Sequence, residues 1–215
     1  METFKQHKIR WILIGALVLL VVFGIYANPD RKNEKINAEL AGIMTSMNAT
    51  MQQVRQDITN NKTCFGDESI KNGGSTDCVI NLRNIQETFR TADKTNLGKL
   101  ETYYQANQSS LDPDTQKMIE NTLKLYKSDA YANLMAAYDQ YFGVYIEWHK
   151  YFRDYVNTKG VDNMTSAEIM KAHTLALDIQ SAETDLKLKN NAFNDYLQEN
   201  FDKSFIDALS AYSQI

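Results

Sequence analysis

Apolar residues follow two different patterns along this chain. From Trp11 to Ala27 the run Trp-Ile-Leu-Ile-Gly-Ala-Leu-Val-Leu-Leu-Val-Val-Phe-Gly-Ile-Tyr-Ala contains no charged residue. As a helix it would be about 26 Å long, close to the roughly 30 Å of a bilayer's hydrocarbon core once Ile9 is added. Lys5, Lys8 and Arg10 precede it and only Glu2 offsets them. The positive-inside tendency therefore predicts a cytoplasmic amino terminus and a chain that crosses the membrane before residue 28. The run exceeds the apolar region of a cleaved signal peptide, and the small-x-small candidate Ile25-Tyr26-Ala27 carries a bulky residue where a small one is preferred. The expected organisation is a basic tail over residues 1–8, a retained transmembrane anchor over 9–27, and an extracytoplasmic body over 28–215.

Beyond the anchor the apolar positions repeat at helical spacing. Asn28-Pro29-Asp30 is a helix-start signal. Ile36, Leu40, Ile43, Met47, Met51, Val54 and Ile58 then mark one face of a first helix ending near Asn60-Asn61. A second helix starts near Asp77, with Val79, Leu82, Ile85, Phe89, Ala92, Leu100 and Tyr103 inward; Gly98 weakens it without ending it. Asp112-Pro113 predicts the cap and first turn of a third helix, running unbroken to about Asn157. The pair Thr165 and Glu168 has the spacing of a capping box and opens a fourth. Short connections between long amphipathic helices predict an all-α chain: a transmembrane helix followed by an extended antiparallel four-helix bundle with coiled-coil-like packing. The first pair is about 30 residues per helix and the second about 45, so the hairpin 145–175 is expected to project beyond the first pair unless a break near Gly143 or Asn190-Asn191 folds it back.

Composition narrows this picture. Nine Gly and two Pro in 215 residues are too few for a loop-rich or all-β fold, and a formal charge of −4 argues against general nucleic-acid binding. Cys64 and Cys78 flank a polar stretch containing Gly73-Gly74. On the far side of a membrane they are expected to close that loop as a disulfide, and two Cys cannot build a tetrahedral zinc site alone.

The third helix is rich in aromatics. Tyr131, Met135, Tyr138, Phe142, Tyr145, His149, Phe152 and Val156 keep 4-3 spacing, and Ala130, Leu134, Ala137, Tyr141, Val144, Trp148, Tyr151 and Tyr155 repeat it one position earlier. Such a wide apolar face belongs to a helix packed on two sides, or else leaves one stripe as a contact surface. Trp148, Tyr151, Phe152 and Tyr155 are the candidate partner-binding residues on the second reading. Antiparallel pairing would bring His149 level with His173, near Glu147 and Glu168; these are weak metal candidates, because the chain has neither Glu-x-x-His nor His-Glu-x-x-His. No phosphate-binding glycine loop, nucleophile elbow or heme-attachment motif occurs. Sequons start at Asn48, Asn61, Asn107 and Asn163.

The general plan, a spanning helix feeding directly into an extracytoplasmic helical bundle, resembles the sensory modules of bacterial receptors in architecture. That likeness implies a ligand-binding alternative, with a small apolar or aromatic molecule held among Tyr138, Phe142 and Tyr145. The leading expectation is a non-catalytic interaction, scaffold or accessory protein without cofactor. It would be anchored in a bacterial inner membrane, face the periplasm and bind another envelope protein.

Overall fold

Scarce helix breakers and long 3.6-residue periodicity lead to an all-helical chain. A computed structural model describes residues 34–66 and 75–211, with no strand among them. The helices are α1 (Glu34–Asn60), α2 (Thr76–Asn107), α3 (Pro113–Tyr126), α4 (Asp129–Tyr151), α5 (Ser166–Asn200) and α6 (Lys203–Ala211). α4 passes into a π-helical turn, Phe152–Val156, and a last α-turn, Asn157–Lys159. The anchor 9–27 and the helix-start signal at 28–30 lie outside the described residues. Among the described residues no helix is long and apolar enough to cross a membrane.

The residues form two compact units. Among the described residues, the first comprises 34–55, Phe89–Ala132 and 193–211. Leu40, Met44, Val54, Phe89, Leu100 and Ile119 are buried in it, and Tyr131 joins Tyr126 to Phe193 at ring separations of 4.7 and 6.2 Å. Tyr104 donates to Glu120, and Lys127 pairs with Glu101 at 2.5 Å, so α2 and α3 run antiparallel. Lys117 to Asp202 (2.7 Å) and Lys124 to the Asn200 carbonyl (3.1 Å) set α3 against the end of α5 in the same sense.

The second unit comprises Gln56–Thr88 and Asn133–Ala192. Val79, Leu82 and Ile85 of α2, Leu134, Tyr138, Phe142 and Tyr145 of α4, and Leu175, Ile179 and Leu186 of α5 are buried in it. Gln86 donates to the backbone and side-chain oxygens of Asp139, both at 3.0 Å, fixing α2 against α4. Tyr145 to Glu183 (2.8 Å) and Tyr151 to the Glu168 carbonyl (2.5 Å) make α4 and α5 antiparallel.

Two local signals act as read from sequence. Asp112 accepts from the backbone N–H groups of Asp114 and Thr115 at 3.1 and 2.9 Å, with Pro113 in the first turn of α3. Thr165 and Glu168 form the reciprocal capping box: the Glu168 carboxylate accepts from the Thr165 N–H at 2.8 Å, and the Thr165 hydroxyl accepts from the Glu168 N–H at 3.3 Å.

One expectation fails. The third helix is not continuous to Asn157 but breaks at Lys127-Ser128. The Ser128 hydroxyl donates to the Leu125 carbonyl at 2.7 Å and accepts from the Tyr131 N–H at 3.1 Å. It thus offers the backbone an alternative to the helical ladder and caps α4. Gly143 and Asn190-Asn191 interrupt nothing, since α4 and α5 run straight through them. The second break falls at Phe201-Asp202, where the Asp202 carboxylate accepts from the Phe205 N–H at 2.9 Å and caps α6.

Candidate functional site

Two features of the second unit carry chemistry or contact potential. The first is the corner around the disulfide. Cys64 ends a short 3-10 turn, Lys62–Cys64, and Cys78 lies in the first turn of α2. Their sulfurs are bonded at 1.99 Å with the α-carbons 5.5 Å apart. Phe65, directly after the first cysteine, stacks on Tyr141 at 5.7 Å and meets Phe142 and Tyr145 edge-on at 6.1 and 5.4 Å. Gly66 donates its N–H to the Tyr145 hydroxyl at 2.9 Å, and that hydroxyl donates to Glu183 at 2.8 Å. Residues 64–66 are thereby sealed onto α4. Burial first, then neighbouring Tyr141 and Glu183, holds the Tyr145 phenol far above its ordinary range; burial and then Glu183 do the same to Tyr141. Both act as neutral hydrogen-bonding groups at any physiological pH.

His149 completes the corner. It is wholly buried, and its Nε2 lies 3.1 Å from the Cys64 carbonyl oxygen. A carbonyl only accepts, so Nε2 carries the proton and the neutral ring keeps its lone pair on Nδ1. Burial pushes its pKa down, outweighing the opposing effect of the bond to Cys64. A ring nitrogen of His149 and the two sulfurs lie within 4.8 Å of one another.

Among the described residues, the weak metal candidates His149 and His173 do not fall in one cluster of possible ligands. His173 is exposed on α5, while His149 sits against the disulfide. Glu147 pairs with Lys150; Glu168 is taken up by its capping box and by Lys159 at 2.6 Å. Lys159 and then the bonds from Thr165 draw the Glu168 pKa down to about 2. The sequence singled out His149 for a partner on α5, and its neighbours proved to be the cysteines.

The candidate contact aromatics divide. Trp148 and Tyr151 are buried; Trp148 packs on Phe152 at 4.2 Å, and the Tyr151 hydroxyl is held by Glu168. Phe152 is half-buried and opens the π-turn. Tyr155, stacked on Tyr151 at 5.1 Å, is 46% exposed. Tyr138, Phe142 and Tyr145 are fully buried. Of the sequon asparagines, Asn61, Asn107 and Asn163 each donate the side-chain nitrogen to the carbonyl four residues earlier.

The second feature escaped the sequence reading. The large apolar side chains exposed among the described residues are Ile80, Tyr155, Ile169, Met170, Leu177 and Leu188, all in the second unit. Met170, Leu177 and Leu188 are 7 and 11 residues apart, so they share one face of α5 over about 27 Å. Leu177, Gln180, Ser181, Thr184, Asp185 and Leu188 line an open groove on that face. Thr174 and Thr184 donate their hydroxyls to the carbonyls of Met170 and Gln180 at 3.0 and 2.8 Å. Their polar demand is met within the helix, so covering them costs little. The signal available in the sequence was the 4-3 series Met170, Thr174, Leu177, Ser181, Thr184, Leu188, obscured by its three hydroxyl residues.

Comparison of the chain with known protein families, with curated proteins and with solved structures finds no match.

Proposed function

We propose that this chain is a membrane-anchored, extracytoplasmic helical scaffold or accessory protein, an antiparallel four-helix bundle that uses the exposed face of α5 to hold another envelope protein. The observation carrying this reading is the segregation of exposed large apolar side chains into one unit, with three of them in line on α5. Contiguous apolar patches on an otherwise polar surface mark contact sites. The anchor rests on the uncharged run to Ala27 and the basic residues before it. The disulfide accords with an oxidising compartment on the periplasmic side of a bacterial inner membrane. The partner surface centres on Met170, Leu177 and Leu188, with Tyr155 as an aromatic contributor stacked on buried Tyr151.

The test is site-specific photocrosslinking in cells, with a photoreactive residue at position 177 or 188, and at exposed Gln105 of the first unit as the reference. Discrete adducts from 177 and 188, lost when Met170 is changed to Ser, support the reading. Equal adducts from all three positions, or none from 177 and 188, overturn it.

A further inference from the structure

Cys64, Cys78 and His149 come from three separate segments, yet their donor atoms already lie within 4.8 Å of one another and all three residues are buried. As long as the S–S bond exists, the sulfurs are not metal donors. We propose that reduction of Cys64–Cys78 converts this corner into a three-ligand binding site for Zn(II). This inference does not depend on the function proposed above, because the fold brings the three residues together whatever the chain's compartment.

The chemistry balances with a dithiol as reductant. Its thiolate attacks one sulfur and forms a mixed disulfide, which its second thiol then resolves. The Cys64–Cys78 bond gains two electrons and two protons, and the reductant leaves as its own disulfide. Binding Zn(II) then releases both thiol protons, because the thiolate is the ligand.

Geometry favours the trio. Two thiolates about 2.3 Å from a tetrahedral zinc are about 3.8 Å apart, and each is about 3.6 Å from an imidazole nitrogen at about 2.05 Å. The sulfurs must separate by somewhat under 2 Å from their bonded distance, which side-chain torsions of Cys64 and Cys78 can supply. The histidine nitrogen needs to close by an ångström or so. The His149 ring is also held in place beside Cys64, by the bond from its Nε2 to the Cys64 carbonyl, as the ring of a metal-ligating histidine is usually oriented by a hydrogen bond. Two thiolates and one imidazole leave a fourth position for water or another small ligand.

The experiment uses the full chain in detergent, reduced anaerobically by a water-soluble phosphine. The phosphine takes oxygen from water to become its oxide while the disulfide becomes two thiols. The reduced chain is titrated with Zn(II) against a chromophoric chelator and with Co(II) for its thiolate charge-transfer band. One equivalent should bind the reduced chain and none the oxidised chain or the Cys64→Ser, Cys78→Ser pair. His149→Gln should keep the fold by circular dichroism and weaken binding at least about tenfold. The proposal is overturned by reduced protein that binds no more zinc than oxidised, by equal affinity in His149→Gln, or by loss of the helical fold on reduction.

Discussion

Removing the covalent link between Cys64 and Cys78 should cost this protein about 3 kcal/mol of stability. The two residues are 14 apart in sequence, and for a loop of about 15 residues the chain-entropy estimate is near 3 kcal/mol at room temperature. The Cys64→Ser, Cys78→Ser pair is the direct perturbation. Trp148, 4% exposed in the same unit as the disulfide, is the natural probe, and Trp11→Phe leaves it as the only tryptophan. Urea unfolding followed by its fluorescence should show the midpoint falling by about 1.5 M, taking a slope of about 2 kcal/mol per molar. Adding a phosphine to the unsubstituted chain should reproduce that fall, and adding it to the serine pair should change nothing. A midpoint shift below about 0.3 M in both comparisons would refute the reasoning, because loop closure would then contribute nothing measurable to the fold.

Phe65→Ala should lose about 3–4 kcal/mol, because the buried ring fills a space bounded by Tyr141, Phe142 and Tyr145 and nothing adjacent replaces it. Tyr145→Phe should cost about 1–3 kcal/mol in the same denaturation assay, leaving the Gly66 N–H without its acceptor. His149 gives stability a pH dependence. Its pKa is depressed in the fold, so below about 6.5 the unfolded chain binds a proton the folded chain refuses. Stability should therefore fall with pH from about 6.5 downward, at up to about 1.4 kcal/mol per unit, until the folded pKa is reached; His149→Gln should flatten that limb. Glu168, drawn down to about 2, keeps its charge throughout that window. Ser128→Ala should destabilise the chain by about 1 kcal/mol by uncapping α4, and a stability within about 0.3 kcal/mol of the parent would show the cap to be dispensable.

What could be read from sequence was what lies close together in sequence. Asp112-Pro113 and the Thr165/Glu168 pair act within a single turn, and each performs the bond its residue types predict. The stripe Val79, Leu82, Ile85, Phe89, Leu100 and Tyr103 is buried as its spacing required. Breaks made by Ser128 and Asp202 were illegible because no Gly or Pro marks them; a serine or aspartate becomes a cap only when its side chain outcompetes the ladder, and many such residues sit harmlessly on helices. The aromatic surplus of α4 was visible, but not which stripe would be covered. Trp148 and Tyr151 are buried, while the exposed apolar row is on α5. His149 finds the Cys64 carbonyl 85 residues earlier, a meeting that only the tertiary fold creates.

The π-turn at Phe152–Val156 fits one more residue into the helix than the ordinary ladder would hold. Were the same residues wound into the tighter α-spiral instead, everything from Asn157 onward would be turned by about 100° around the axis. Tyr151 would keep its hydroxyl on the Glu168 backbone carbonyl while Lys159 swung away from the Glu168 carboxylate. The extra residue thus acts as a phase adjuster, letting one glutamate hold both ends of the turn that joins α4 to α5.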